Sequence, residues 1–358
     1  MRAARMTKAA ALLLAGSLAL AACASSDKGG SSASGSSGAK GGDLKVGIAY
    51  DTGGRGDKSF NDSAFAGVQA AIKKDGGKYT ELSPNSDASN RADLLTQLAD
   101  QGYNPVIAVG FAYGDTIAKV AAQYPDTQFA IVDSSGLDAD GKPLGKGNIT
   151  GLQFAANEGS FLGGVAAALK TTTNHVGFVG GVETPLIQAF QAGYVAGAKA
   201  AKPGITVDVE YISPAGDFSG FNDPAKGKIV AQGMYDAGAD IVYAAAGGSG
   251  IGVFQAAAAS SGKRAIGVDS DQYQTVGDPS LQPVIMTSVL KRVDNAVEAY
   301  IGDYAAGKVK GGSDITNDLK TDGVGLATSG GFIDDIKGQI DSYKQKIVSG
   351  EIKVPTTP

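Results

Sequence analysis

Short apolar runs alternate with amphipathic segments along the chain from about residue 43 to its end. The apolar runs have the length and β-branched content of strands, and the segments between them have the three-to-four-residue spacing of helices. Such alternation indicates the α/β class. The predicted strands are Leu44–Tyr50, Lys78–Leu82, Pro105–Val109, Gln128–Val132, Ile149–Phe154, Val176–Val179, Thr206–Tyr211, Ile241–Ala245, Ala265–Val268 and Val284–Val289. The predicted helices are Ser59–Lys74, Asn90–Asp100, Tyr113–Gln123, Glu158–Leu169, Ile187–Ala201, Pro224–Ala237, Gly250–Ser260 and Val293–Ala306.

The order of strands and helices runs through twice, which predicts two similar lobes. A first series ends near Phe154, and a second begins with the helix after Asn157-Glu158, without sequence identity between the two. Continuous apolar strands of this kind form parallel sheets with helices on both faces. We expect lobe 1 to contain residues 43–155 with about 271–312, lobe 2 to contain 156–270 with about 313–330, and 331–358 to form a C-terminal helix and tail. Chain crossings between the lobes predict a hinge beside a cleft.

The first 22 residues have the pattern of an export signal. Arg2, Arg5 and Lys8 are followed by the apolar stretch Ala9–Ala22, which is too short to span a bilayer comfortably. Removal of the three basic residues would change the formal net charge from −5 to −8. An acidic chain without basic runs argues against nucleic acid as a partner.

The segment Leu20-Ala21-Ala22-Cys23 resembles a bacterial lipobox, in which the cysteine is lipidated and becomes the new N-terminus. Cys23 is the only cysteine of the chain, so an intramolecular disulfide is excluded. The residues that follow, up to 42, are mostly Ser, Gly, Ala and Lys, a composition typical of a flexible tether. We therefore expect a lipid anchor at Cys23 on the extracytoplasmic face of the cell membrane. The alternative is an ordinary cleaved signal with a chance cysteine.

Several short motifs superficially suggest chemistry and are rejected. The turn before Lys58-Ser59 lacks the glycine of a phosphate-binding loop, because Asp57 stands there. Arg55-Gly56-Asp57 matches an integrin-binding tripeptide, which occurs often by chance. Gly248-Ser249-Gly250 lacks the spacing of a nucleophile elbow. The single histidine, His175, has no evident catalytic or zinc-binding partners. The sequence therefore predicts a protein that is not an enzyme, with no metal and no cofactor.

Polar residues recur where predicted strands end. Asp51, Asp133 and Asp269 each follow an apolar run, Gly247 follows another, and Lys291 comes directly after the last. Each aspartate alone could cap the next helix. Because ligands of open α/β sheets bind outside the carboxyl ends of the strands, the recurrence favours a single ligand-binding cleft.

With these motifs in place, the chain resembles the basic membrane protein family of bacterial lipoproteins, the purine-nucleoside-receptor-like binding proteins of ABC transporters. The resemblance covers about Leu44 to Pro355, and its motifs are specific when they occur together in this order. It implies the two-lobe type I fold of periplasmic binding proteins. The motifs that carry it are Asp51 with Gly53-Gly54 and Asp57–Asn61, Asn157–Gly164, Phe221–Gly227, Ala246–Gly250, Ile266–Gln272 and Thr287–Arg292.

The resemblance also implies roles for the residues that would contact the base. Phe60 would stack on one face of a purine, and Phe221 would cover the other face from the second lobe. Asp51 and Asn61 would meet the polar edge of the base. Phe218, three residues before Phe221, competes for the role of second ring. If Phe218 stacks on the base, this loop differs from that of the family and the preference for a purine no longer follows.

On the sugar side, the resemblance implies that Asp269 and Lys291 bind the ribose hydroxyls, with Asp133 as a further acid near the ligand. Gly247 would let the backbone approach the ligand closely. A carboxylate can accept hydrogen bonds from both hydroxyls of a diol while an ammonium donates to them, and both bonds are charge-assisted.

The function that follows is capture of a purine nucleoside and its delivery to the permease subunits of an ABC transporter by a lipid-anchored monomer. Two alternatives stay open. A receptor for a sugar or another small metabolite would bind ribose or a hexose as well as a nucleoside. A surface antigen or adhesin would bind host protein through an exposed patch, as some relatives in this family do.

Overall fold

The computed structural model describes residues 44–358, and each predicted strand and helix is present with small shifts at its ends. The strands are β1 Lys45–Ala49, β2 Lys78–Leu82, β3 Val106–Ala108, β4 Phe129–Val132, β5 Ile149–Phe154, β6 His175–Val182, β7 Thr206–Ser213, β8 Ile241–Ala245, β9 Arg264–Asp269, β10 Ile285–Lys291, β11 Ser313–Asn317 and β12 Val324–Leu326. The helices are α1 Phe60–Asp75, α2 Arg91–Asp100, α3 Gly114–Ala121, α4 Ala156–Lys170, α5 Pro185–Ala201, α6 Pro224–Asp236, α7 Gly250–Ala259, α8 Gln272–Thr275, α9 Val293–Ala305 and α10 Lys337–Val348.

The strands form two six-stranded sheets, and the predicted α/β architecture is confirmed. The first sheet has the order β11-β5-β4-β3-β1-β2 and the second β12-β10-β9-β8-β6-β7. All pairings are parallel except that of β12 with β10. Buried aliphatic and aromatic side chains cover both faces of each sheet, which is the environment that the continuous apolar strands require.

The predicted lobe boundaries in the last third of the chain are wrong by one strand at each crossing. Strand β10, predicted to lie in lobe 1, pairs with β9 in the second sheet, and only the following helix α9 packs against α1 of the first. The chain therefore crosses at Lys291-Arg292, between a strand and its helix. Strand β11, predicted to lie with lobe 2, pairs with β5 in the first sheet. Its mostly polar sequence, typical of an exposed edge strand, carries no apolar signal.

The predicted signal peptide, the tether and Cys23 lie outside the described residues. None of the helices among residues 44–358 is both long and apolar enough to cross a membrane. The C-terminal helix expected within 331–358 is α10, and the tail after it reaches back to α4, where Asn157 Nδ2 donates a hydrogen bond to the carbonyl of Val354.

Candidate ligand-binding cleft

The carboxyl ends of the two sheets face one cavity, which we call the cleft. In the first sheet the chain order reverses between β1 and β3, and in the second between β6 and β8, so the cleft lies at the topological switch point of both. It encloses about 550 Å³ of space between atoms, part of it open to solvent. The cleft is lined by Asp51, Thr52, Asp57, Phe60, Asn61, Phe111, Asp133, Leu186, Ile187, Phe190, Phe221, Ala245, Gly247, Val268, Asp269 and Lys291.

All eight residues that the sequence singled out for a ligand line this cleft. They come from five strand ends, the first turn of α1 and one 3₁₀ turn, and the fold brings them together from positions up to 240 residues apart in the chain. The eight are Asp51, Phe60, Asn61, Asp133, Phe221, Gly247, Asp269 and Lys291.

Asp51 and Asn61 form one polar end of the cleft. The backbone N–H of Asp51 donates to Asn61 Oδ1 at 3.0 Å, which fixes the amide and leaves its Nδ2 as the available donor. Asp51 Oδ1 accepts from Arg91 Nη2 at 3.0 Å and from the backbone N–H of Thr52 at 2.7 Å. Burial raises the pKa of Asp51, and the guanidinium of Arg91 opposes that rise. An available carboxylate oxygen and an amide donor thus stand side by side.

Arg91 was not identified from the sequence, although one signal was present. It is the first residue of α2, where the positive end of the helix dipole disfavours a cation, so a fixed partner is required to hold it there. Asp51 is that partner, and both side chains are nearly buried: Arg91 is 11% exposed and Asp51 is 9% exposed.

Lys291, Asp133 and Asp269 form the other polar end. Lys291 Nζ lies 2.6 Å from Asp133 Oδ2 and 3.5 Å from Asp269 Oδ1, with all three side chains at most 6% exposed. Burial alone would lower the pKa of Lys291, but the two carboxylates more than offset it, so the pKa is raised and the ammonium stays charged. Burial raises the pKa of Asp133. One cation between two anions leaves carboxylate oxygens that can accept hydrogen bonds from a ligand.

Two of these carboxylates are carried by strained backbone. Asp133 and Asp269 have φ angles of +63° and +61°, in the left-handed region that non-glycine residues rarely adopt. Neither residue caps a helix; the carboxylate that accepts from the first N–H groups of α1 belongs to Asp57. Strained backbone of this kind persists only where the surrounding structure fixes it, and it is common at ligand-binding sites. Here both strained residues line the cleft.

The aromatic residues divide into rings inside the cleft and rings at its mouth. Phe60, the first residue of α1, and Phe221, in the 3₁₀ turn Phe218–Phe221, both line the cleft from different lobes. The ring of Phe221 lies so close to Gly181 of β6 that a Cβ there would collide with it. Phe218 does not line the cleft and instead contacts Phe111, with ring centroids 5.8 Å apart. Of the two competing rings, Phe221 is the one positioned for a ligand.

Helix α5 supplies an apolar wall that the sequence analysis missed. Leu186, Ile187 and Phe190 line the cleft from its first turns. Phe190 is 2% exposed, and its ring centroid lies 5.5 Å from Lys291 Nζ. These residues read as an ordinary apolar helix face in the sequence, so only the packing of α5 over the end of β6 identifies them.

The turn Lys58-Ser59 of the first lobe is docked on the second lobe. Ser59 Oγ donates to Asp269 Oδ2 at 2.5 Å, and Ser270 Oγ donates to the carbonyl of Ser59 at 3.0 Å. The carbonyl of Lys58 accepts from Gln272 Nε2 at 3.0 Å and from Thr275 Oγ1 at 3.2 Å. The structure is therefore the closed arrangement of the two lobes.

The side chains of two rejected motifs are engaged in contacts within the protein. Asp57 is 8% exposed, and its two oxygens accept from the backbone N–H groups of Ser59, Asn61 and Asp62. An integrin-type ligand would need that carboxylate free. His175 pairs with Asp208 at 2.7 Å, away from the cleft. Within residues 44–358 no three His, Cys, Asp or Glu side chains are grouped to hold a metal ion.

Comparison with known proteins agrees with this architecture. A curated relative from Listeria monocytogenes, "CD4+ T-cell-stimulating antigen", is 40% identical over 88% of this chain and 89% of its own length. The "ABC transporter nucleoside-binding protein BmpA" of Lactococcus lactis is 38% identical over 88% of this chain and 90% of its own length.

Among solved structures, an ABC transporter solute-binding protein from Aeropyrum pernix K1 superimposes with a TM-score of 0.74 at 28% identity. The match covers 87% of this chain and 93% of that one. The two-lobe type I fold of solute-binding proteins is therefore confirmed. The sequence model of the Bmp family, described as "ABC transporter substrate-binding protein PnrA-like", matches residues 44–358. The chain belongs to this family of ABC transporter substrate-binding proteins.

Proposed function

We propose that the protein captures a purine nucleoside in the cleft and presents it to the permease of an ABC transporter, held at the extracytoplasmic face of the cell membrane by lipid on Cys23. The observation that carries the ligand class is the pairing of two aromatic rings from opposite lobes, Phe60 and Phe221, with a buried cluster of Lys291 and two carboxylates in the same cleft. A flat base and a hydroxylated sugar match these two parts.

The aromatic part supports a base. Stacking on an aromatic side chain contributes about 1–3 kcal/mol per base, and every base has a face for it. Nucleobases also carry donors and acceptors on their edge, and the free Nδ2 of Asn61 beside the carboxylate of Asp51 offers one of each. A sugar alone would leave the rings and this edge without partners.

The charged part supports a ribose. Asp269 and Asp133 present acceptors for neighbouring hydroxyls, and Lys291 presents a donor between them. Because the three side chains are at most 6% exposed, such charge-assisted hydrogen bonds are of the stronger kind. The net charge of the three groups is −1, which disfavours a second anion and so favours a nucleoside over a nucleotide.

The test is calorimetric titration of protein freed of any bound ligand by unfolding and refolding. The panel contains adenosine, guanosine, inosine, cytidine, uridine, adenine, ribose and glucose. We expect a purine nucleoside to bind tightest and ribose or adenine to bind far more weakly. At a concentration of 100 times Kd, the ligand should raise the free energy of unfolding by about 2.7 kcal/mol. Equal or tighter binding of ribose or glucose would make the protein a sugar receptor instead.

Asp269→Asn tests the assignment of the ribose end. Asparagine tolerates the left-handed backbone of this position, so the fold should survive. We expect a loss of nucleoside binding of about a hundredfold, since charge-assisted hydrogen bonds are worth about 1.5–3 kcal/mol each. The control is Asp140→Asn, whose carboxylate is 75% exposed and distant from the cleft. Unchanged affinity in the first variant would remove Asp269 from the ligand site.

The lipid anchor is supported by the residues around Cys23 and has its own test. The full chain is expressed in a bacterium that processes lipoproteins, with an alkyne-tagged fatty acid in the medium. We expect label on the wild-type protein and none on Cys23→Ala, which should be released from the membrane fraction. An unlabelled wild-type protein would identify an ordinary cleaved signal.

A further inference from the structure

We propose that Arg91 and Phe218 form a latch across the mouth of the cleft that couples recognition of the ligand edge at Asp51 to closure of the lobes. The inference rests on the proposed function of the cleft and concerns two residues outside its lining. Arg91 belongs to the first lobe and Phe218 to the second, so their contact exists only when the lobes are closed.

The guanidinium of Arg91 is shared between an ion pair and two aromatic faces. Its Nη2 donates to Asp51 Oδ1 at 3.0 Å and to Thr52 Oγ1 at 3.2 Å, and its Nη1 donates to the carbonyl of Ala88 at 3.2 Å. Its Nε is buried without a hydrogen-bond partner among the described residues. The group is thus held at its Nη edge, and its planar faces are left for other contacts.

Two aromatic rings from opposite lobes also lie close to the guanidinium carbon of Arg91. The guanidinium carbon is 5.8 Å from the ring centroid of Tyr113, in the first lobe, and 5.2 Å from that of Phe218, in the second. Phe218 also contacts Phe111 of the first lobe, with a centroid separation of 5.8 Å and an interplanar angle of 53°. Arg91 and Phe111 both lie across the cleft from Phe218, so opening of the lobes removes the two contacts together.

The turn that carries Phe218 is fixed from its own lobe. Asp217 Oδ1 accepts from the backbone N–H of Ser219 at 3.0 Å, and Ser213 Oγ donates to the carbonyl of Asp217 at 2.5 Å. Because the turn is fixed, the ring of Phe218 contacts Arg91 at only one relative position of the two lobes. Because the same guanidinium orients Asp51, a ligand that binds the free side of the Asp51 carboxylate favours the arrangement in which Arg91 reaches Phe218.

The coupling is measured as a double-mutant cycle on nucleoside binding, with Arg91→Lys, Phe218→Leu and the double variant. Lysine keeps the charge for Asp51 but has no planar face for the ring. We expect each single variant to raise Kd about tenfold through a faster dissociation rate, consistent with a partly buried cation–π contact. The Kd of the double variant should be only slightly higher than that of either single variant. Additive losses, or an effect confined to the association rate, would overturn the latch.

The matched control is a second arginine–aromatic contact inside one lobe. Arg264 lies over Phe332 with 4.7 Å from the guanidinium carbon to the ring centroid, and neither residue lines the cleft. Arg264→Lys and Phe332→Leu should leave the dissociation rate unchanged. If they slow or speed release as much as the latch variants, the effect is one of general stability and the proposal fails.

A measurement without ligand separates failure of the latch from failure of the proposed function. Spin labels are placed on exposed Lys119 of the first lobe and exposed Lys228 of the second, both changed to Cys in a Cys23→Ala background, and their distance distribution is recorded. We expect Phe218→Leu to shift population toward longer distances. If no nucleoside of the calorimetric panel binds, the proposed function is rejected. If the distance distributions of wild type and Phe218→Leu are identical, the latch is rejected. If Arg91→Lys does not fold, this comparison and the dissociation rate of Phe218→Leu decide.

Discussion

Lys291 Nζ lies 2.6 Å from Asp133 Oδ2, although Lys291 ends a strand of the second sheet and Asp133 follows a strand of the first. The ion pair therefore joins the two lobes at the back of the cleft, beside the crossing at Lys291-Arg292. Asp269 Oδ1, 3.5 Å from the same ammonium, adds a second carboxylate from the second sheet. Removal of the cation would leave two buried anions facing each other.

Lys291→Met should lower the free energy of unfolding by about 3–5 kcal/mol, the usual cost of breaking a buried ion pair from one side. The double variant Asp133→Asn/Lys291→Met should recover part of this loss, because one of the two stranded carboxylates is then neutral. Urea unfolding measures both. Lys142→Met is the control, since Lys142 is 74% exposed and its pairing with Asp140 should be worth less than about 1 kcal/mol. A double variant no more stable than Lys291→Met would contradict this account.

Gly181→Ala should weaken nucleoside binding without unfolding the protein. The added Cβ would collide with the ring of Phe221 and push it from its place in the cleft, at a cost of about 1–3 kcal/mol of binding free energy if that ring stacks on the base. Titration calorimetry gives the change in affinity. In Gly233→Ala the added Cβ meets nothing within 4 Å on helix α6, so binding should be unchanged and stability slightly increased. Equal affinities in the two variants would show that Phe221 is not a stacking ring.

Much of the architecture could be predicted because strand and helix periodicity is a local property of the chain. The buried strands are continuous apolar runs, and the residue after each run must lie at the carboxyl edge of its sheet. Asp51, Asp133 and Asp269 could therefore be located from the order of residues alone. Which sheet a strand joins is not local. Strand β10 reads identically in either lobe, and its place is decided by pairing with β9.

The residues that escaped prediction are those whose surroundings come from elsewhere in the chain. Arg91 reads as a helix-start residue until β1 brings Asp51 to it, and Phe190 reads as an apolar helix face until α5 packs over the cleft. The resemblance assigns the second ring to Phe221 and leaves Phe218, three residues earlier, as a competitor, with no sign that Phe218 contacts the opposite lobe. The 3₁₀ turn directs Phe221 into the cleft and Phe218 toward the opposite lobe.

Nucleoside affinity should fall on acidification, starting at a higher pH than ordinary aspartates would allow. Burial raises the pKa values of Asp133 and Asp51, so each takes up a proton above the usual range near 3.9 and ceases to be a pure acceptor. Lys291 contributes no change up to pH 9, because its pKa is raised. Calorimetry from pH 4 to pH 9 measures the profile. Asp133→Asn should bind weakly with a flatter acid limb, and Asp140→Asn should keep the wild-type profile. If the affinity of the wild-type protein stays unchanged down to pH 4, the assignment of Asp133 and Asp51 to the ligand site is contradicted.

Asp240 should make the free energy of unfolding fall on acidification as well. Burial alone would raise the pKa of Asp240, but hydrogen bonds from Thr171, Thr172 and Thr173 more than offset it, so the pKa is lowered. A lowered pKa in the folded state contributes stability that is present above the unfolded value of about 3.9 and is lost as the pH falls through the folded value. Asp240→Asn should therefore be less stable than wild type by about 1–3 kcal/mol at pH 7, and the difference in urea unfolding should shrink below pH 4.

The control is Asp236→Asn, which changes an exposed aspartate at the end of α6 and should stay within about 0.5 kcal/mol of wild type at pH 7. A difference for Asp240→Asn that persists unchanged to pH 2.5 would mean that the amide loses hydrogen-bond geometry, and that the charge of Asp240 contributes nothing to the Thr171–Thr173 turn.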